Sequence, residues 1–148
     1  MDEQITIYTD GGVINNGKKK SWCGWAYKKI YGDIVTTNSG GDTGKTNNQM
    51  EMIAVMKALQ SVVDKTIPVK VYSDSMYVVE TLNGNYSIHK NIDLWKALKK
   101  EIRKFRNIKF IWVKGHDKNA HNIEVDELVR TESDAIKHKF DGRNQNEH

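Results

Sequence analysis

Thr46-Asn47-Asn48-Gln49-Met50-Glu51-Met52-Ile53-Ala54-Val55-Met56-Lys57-Ala58-Leu59 decides how the rest of this chain is read. The stretch passes from a polar loop into an amphipathic helix. On a helical wheel with Met50 at zero, Ala54 falls at about 40°, Ala58 at about 80°, Val62 at about 120°, Val55 at about 140° and Leu59 at about 180°. That arc faces a core. Glu51 falls at about 100°, inside it. A carboxylate aimed at a core must be paired, protonated or bound to a metal, because an unpaired buried charge costs on the order of several kcal/mol. What faces Glu51 is therefore the question that the rest of the sequence has to answer.

Before this helix, predicted over 48–64, come three strand patterns. Gln4 to Asp10 alternates and is rich in β-formers, and Gly11-Gly12 is expected to end it. Ser21 to Ile30 reads as a second strand, Tyr31-Gly32-Asp33 as a hairpin turn, and Ile34 to Asn38 as a third strand stopped by Ser39-Gly40-Gly41. After the helix, Val69 to Ser73 is a strand ending at Asp74, and Ser75 caps a short helix over 76–82. A longer helix starts at Asn91 or Asp93 and runs to about Arg106. Lys109 to Val113 is the fifth strand, and a last helix runs from about Asn122 to Lys139 ahead of a frayed polar tail. Short turns make the first three strands antiparallel, and the helical crossovers then add parallel strands. The expected fold is α/β: a mixed five-stranded sheet flanked by helices, in one domain over 1–148.

Bulk properties agree. The chain has 148 residues, one proline and one cysteine, Cys23, so no internal disulfide is available and a reducing, cytoplasmic setting is expected. No run approaches the ~20 apolar residues of a membrane span, and the acidic start is not a signal peptide. A net charge of +4 permits a nucleic-acid partner without establishing one.

Asp10 and Asp74 each end a predicted strand and precede a small residue. Taken singly, each is an ordinary turn former or helix cap. If the two strands are parallel neighbours, both acids emerge at the same sheet edge, where α/β folds commonly bind ligands. The helix carrying Glu51 must cover that sheet, which brings a third carboxylate to the same edge. Such a cluster without basic partners is self-repelling, and a hard divalent cation resolves it. Asp126, on the rim of the last helix's apolar arc, is the candidate fourth ligand, although an acid in a first turn is also common for electrostatic reasons alone.

Tyr8-Thr9-Asp10-Gly11, Thr46 to Glu51, Tyr72 to Val78, Trp112-Val113-Lys114-Gly115-His116 and Val125-Asp126-Glu127-Leu128 together resemble ribonuclease H type 1, in family order and across nearly the whole chain. The resemblance implies an endonuclease that cuts the RNA strand of RNA–DNA hybrids with two Mg²⁺ ions, Mn²⁺ substituting, and leaves 5′-phosphate and 3′-hydroxyl ends. It implies Asp10, Glu51, Asp74 and Asp126 as catalytic metal ligands, with His116 assisting proton transfer or product release. It implies groove contacts from Asn47 and Asn48, and from Asn15 or Asn16. Thr46 and Ser75 become candidates for a DNA-phosphate pocket. Met76 stands at a groove position where a glutamine is common. No obligate protein partner is implied, and a monomer is expected.

A compact form is expected: only Asn83 to Lys90 fills the place of the basic protrusion of many relatives, and a separate hybrid-binding domain ahead of Ile5 is not expected. Lys99, Lys100, Arg103, Lys104 and Arg106 read mainly as a solvated helix face, Lys18 to Lys20 as a turn, and Trp22, Trp25, Trp95 and Trp112 as core. Two other readings compete. A transposase-like DNA nuclease of the same fold is disfavoured by the Thr-Asn-Asn and Lys-Gly-His motifs. A non-catalytic hybrid-binding module is disfavoured by four intact acids.

Overall fold

The computed structural model describes residues 3–15, 20–115 and 119–146, without the side chains of 15 and 141–146. The elements are β1 (Ile5–Asn15), β2 (Ser21–Tyr31), β3 (Ile34–Thr43), α1 (Asn47–Gln60), β4 (Val69–Ser73), α2 (Met76–Leu82), α3 (Ile92–Ile102), β5 (Ile108–Trp112) and α4 (Ala120–Asn146). The sheet order is β3-β2-β1-β4-β5. β1, β2 and β3 pair antiparallel, whereas β4 lies parallel to both β1 and β5. The expected mixed five-stranded sheet is the one that forms.

Strand alternation divides the sheet between two cores. Ile5 and Ile7 of β1, with Val69 and Val71 of β4, meet Met52, Val55 and Leu59 of α1. α3 closes this layer with Trp95 and Leu98, both fully buried. On the opposite face Val125 and Val129 of α4 cover Ala26, with Tyr8 packed alongside.

The glycines do not end the strands. β1 continues through Gly11 and Gly12, which stand opposite Trp25 and Gly24 in the antiparallel register. β3 continues through Gly40 and Gly41 to Thr43. Their shared reason is close approach. A Cβ on Gly40 would sit 2.6 Å from the Trp25 ring, and one on Gly11 would sit 2.2 Å from the Met50 carbonyl oxygen. Glycine here is the residue that lets another element lie against the strand, so the breaker reading was the wrong one.

Helix ends differ from expectation for local reasons. Thr46 and Gln49 form a reciprocal capping box at the start of α1, with bonds of 3.1 and 2.9 Å. The helix stops at Gln60, where the Ser61 hydroxyl donates to the Ala58 carbonyl at 2.6 Å, and Asp64 instead organises a turn by accepting from Thr66. α3 stops at Ile102, and the chain turns so that the Arg106 amide reaches the Lys65 carbonyl at 3.0 Å. α4 begins at Ala120 because the Asn119 carboxamide oxygen accepts from the His121 amide at 2.9 Å, and it runs to Asn146, over residues read as a tail. Trp112 is a further correction. It is 40% exposed on an edge strand, whereas Trp22 and Trp95 are core.

Among the described residues no helix is long and apolar enough to cross a membrane. Replacing Gly11 with alanine forces α1 away from β1. We expect Gly11→Ala to cost about 1–3 kcal/mol by overpacking, seen as a melting temperature lowered by several degrees in a thermal scan.

Candidate active site

The parallel register of β1 and β4 ends at Thr9 opposite Ser73. Asp10 and Asp74 are the next residues of their strands, so both carboxylates stand where the two backbones part. Glu51 arrives from the other side. α1 crosses β1 at Gly11, and the Gly11 amide donates to Glu51 Oε1 at 2.5 Å. One carboxylate oxygen from each of Asp10, Glu51 and Asp74 then lies within 4.8 Å of the others. Asp10 and Glu51 are 9% and 8% exposed, while Asp74 opens to solvent.

The electrostatics follow from that placement. Burial pushes the Asp10 carboxyl up to about 7. A proton shared from Glu51 opposes the rise, and the charges of Asp74 and Asp126 add to it. Burial also drives Glu51 well above the ordinary carboxylate range, with Asp10 and Asp74 as the neighbouring charges. No ion pair to Asp10, Glu51 or Asp74 occurs among the described residues. Oxygen donors alone, held close and deprived of counter-charge, fit a hard divalent cation and not zinc.

Asp126 approaches the same place without joining the 4.8 Å set. It lines a cavity of about 250 Å³ together with Asp10, Gly12, Asn47 and Arg130. Its carboxylate is bonded to Arg130 Nη2 at 2.9 Å. The Asp126–Arg130 spacing of four residues on a helix is a readable pairing signal that the sequence analysis did not use. On the same helix Glu124 pairs with Lys28 at 2.5 Å.

The other predicted residues divide into three groups. Asn47 and Asn48 are exposed at the start of α1, and Met76 is exposed at the start of α2. Thr46 and Ser75 are both N-caps, accepting from the Gln49 and Val78 amides. Asn15 belongs to β1 by its backbone, while Asn16 and His116 lie outside the described residues. Gly115, immediately before His116, packs on the site: a Cβ there would be 3.1 Å from Asp74 Oδ2.

Two supports were missed. The Trp112 indole N–H donates to the Asp74 carbonyl at 3.1 Å, tying the edge strand to a site residue. Beneath the carboxylates the rings of Tyr72, Tyr8 and His121 stack in series, with centroids 5.0 and 4.6 Å apart. Tyr8 opposite Tyr72 is a consequence of the parallel register, which the sequence alone does not fix.

A family model described as RNase H matches residues 2–134. The chain belongs to the RNase H family. Ribonuclease H of Chlorobaculum parvum is 35% identical over 144 residues, covering 88% of this chain and 95% of that protein. Ribonuclease HI of Helicobacter pylori is 34% identical, covering 88% and 94%. Solved structures agree on the fold. The N-terminal RNase H domain of a Mycobacterium tuberculosis protein superposes with a TM-score of 0.76 at 22% identity, over 93% of this chain and 99% of that one. LC11-RNase H1, solved in complex with an RNA/DNA hybrid, gives 0.73 at 24% identity, over 88% and 97%. RNase H enzymes depend on a divalent metal, in keeping with the Asp10-Glu51-Asp74 cluster.

A carboxyl raised in the folded state stabilises the fold below its unfolded pKa and loses that contribution as pH rises through the folded value. For Asp10 the window runs from about 4 to about 7. The metal-free protein should therefore lose melting temperature through this site across that range. Asp10→Asn should melt higher than wild type at pH 8 without metal, and at nearly the same temperature at pH 4; thermal scans in a chelating buffer read both.

Proposed function

We infer that this protein is an endonuclease that hydrolyses the RNA strand of RNA–DNA hybrids, leaving 5′-phosphate and 3′-hydroxyl ends. The observation that carries this reading is the meeting of Asp10, Glu51 and Asp74 within 4.8 Å inside an RNase H fold. The hybrid bound by LC11-RNase H1 supports the same substrate here.

The four carboxylates would hold two Mg²⁺ ions, with Mn²⁺ able to replace them. Bound there, the cations supply an activated water and neutralise charge on the leaving 3′ oxygen. Asp10 is the member common to the whole group, since Glu51, Asp74 and Asp126 all act on its carboxyl. Gly11 aims Glu51 through its amide, and Trp112 steadies the backbone at Asp74. Asp126 completes the set by letting go of Arg130, whose guanidinium is then free to meet a phosphate. Gly115 packs against Asp74, and His116, the next residue in sequence, has the side chain suited to proton transfer near neutrality or escape of product.

Recognition is of shape. Hybrids expose 2′-hydroxyls in a wide minor groove, and the exposed carboxamides of Asn47 and Asn48 stand beside the Asp10 cavity to meet them. Asn15, Asn16 and Met76 extend that contact. The Thr46 and Ser75 hydroxyls accept from the amides that they cap, which leaves each hydroxyl hydrogen to donate to a DNA phosphate. All four carboxylates belong to one chain, which supports a monomeric enzyme, and the single cysteine, Cys23, supports a reducing, cytoplasmic setting.

Asp10→Asn should lower cleavage of a labelled hybrid in Mg²⁺ by about a thousandfold or more, judged against the metal-ion contribution to such reactions, while the circular dichroism spectrum is unchanged. Wild type should cut hybrid in preference to duplex RNA and duplex DNA. Cleavage of duplex DNA at a comparable rate would favour the transposase-like reading instead.

A further inference from the structure

The outward face of α3 is mainly basic, with Asp93 in the first turn as its exposed acid. With Lys96 at zero on a helical wheel, Lys99 falls at about −60°, Lys100 at about 40° and Arg103 at about −20°. The four cations occupy one arc, opposite the buried Trp95 and Leu98, and all are exposed. Among the described residues none has an ion-pair partner; the acid of this helix that does pair, Glu101, takes Lys104. Exposed faces elsewhere are mixed. α4 sets Arg130 against Asp126 and interleaves Glu127, Asp134 and Lys139. Like charges three and four residues apart oppose helix formation. Lys99 and Lys100 are favoured in a last turn by the helix dipole, but Lys96 is not. The dipole accounts for two of the four cations, and no ion pair among the described residues accounts for their clustering.

Their location supplies a use. α3 packs on α1, and at its start the Gln49 carboxamide donates to Asn91 Oδ1 at 3.1 Å. Gln49 is two residues from Glu51 in the same helix. The basic arc therefore begins beside the turn that presents Asn47 and Asn48 and continues away from the carboxylates. From Lys96 to Arg103 it extends ~10 Å along the helix axis, which matches the rise of about three phosphates on one strand.

We propose that Lys96, Lys99, Lys100 and Arg103 form a second contact for the nucleic acid, holding the phosphate backbone of the bound hybrid beyond the base pairs that lie over the carboxylates. The proposal rests on the hybrid-cleaving function. It would give a chain with only residues 83–91 between α2 and α3 a place to hold a long substrate.

The test replaces the four residues with glutamine, which keeps the helix and removes the charge. Steady-state cleavage is measured on a hybrid of about 8 base pairs and one of about 24, over a series of salt concentrations. For the long hybrid KM should rise about tenfold at low salt while kcat stays within twofold. The slope of log KM against log salt should fall by about 2, as expected for two to three lost phosphate contacts. The short hybrid should change less than twofold. The all-arginine variant of Lys96, Lys99 and Lys100 should behave as wild type, and the glutamine variant should melt no lower than wild type. An unchanged KM and salt slope on the long hybrid would overturn the proposal. An equal loss on both lengths would also overturn it, by placing the effect at the carboxylate site. Failure of wild type to cut any hybrid would instead count against the enzymatic reading.

Discussion

The bond from the Gly11 amide to Glu51 Oε1 joins the two halves of this protein's design. It forms only because Gly11 has no side chain, so that the backbone of α1 at Met50 can rest on β1. The same contact seats Met52, Val55 and Leu59 against Ile7 and Val71. Apolar burial thus drives a charged group into the one place where it meets two other acids. Burying that surface is favourable by about 25 cal/mol per Å², and the favourable packing along the rest of α1 holds a carboxylate that would not go there by itself.

The result is a site under electrostatic tension. Asp10 and Glu51 lose hydration without gaining a cation, so protons stand in for the missing charge. The neighbouring structure keeps the acids from moving apart: the register of β1 and β4 fixes Asp10 beside Asp74, Trp112 grips the Asp74 carbonyl, and the Tyr72-Tyr8-His121 stack braces the floor. Asp126 is the looser partner, half-exposed and bonded to Arg130. Three carboxylates held by their surroundings, and a fourth paired with Arg130, make a cluster whose geometry the fold itself sets.

Much of this was legible in residue order. The wheel position of Glu51 put it in the core arc of α1, and the strand-ending positions of Asp10 and Asp74 put them at one edge, which is where the structure has them. Ser75 marked a helix start through short-range capping, which sequence records directly. What escaped the reading depended on contacts distant in sequence. Gly11, Gly12, Gly40 and Gly41 look like breakers until Met50, Val129, Trp25 and Ile136 are seen beside them. The Tyr8–Tyr72 stack needs the parallel register, and the exposure of Trp112 needs to know that β5 is an edge. The lysines of α3 are a different case, because their spacing was readable, but the absence of acidic partners around them was not.

The central claim is that the carboxylate cluster holds protons which a divalent cation displaces. Calorimetric titration of the metal-free protein with Mg²⁺ at pH 7, repeated in buffers of different ionisation enthalpy, counts those protons directly. Protons should be released, as follows from Asp10 near 7 and from burial holding Glu51 well above the ordinary carboxylate range, and the number should decline as pH is raised toward 9. A binding heat that is the same in every buffer would mean that Asp10 and Glu51 are already ionised without metal, and would contradict the account.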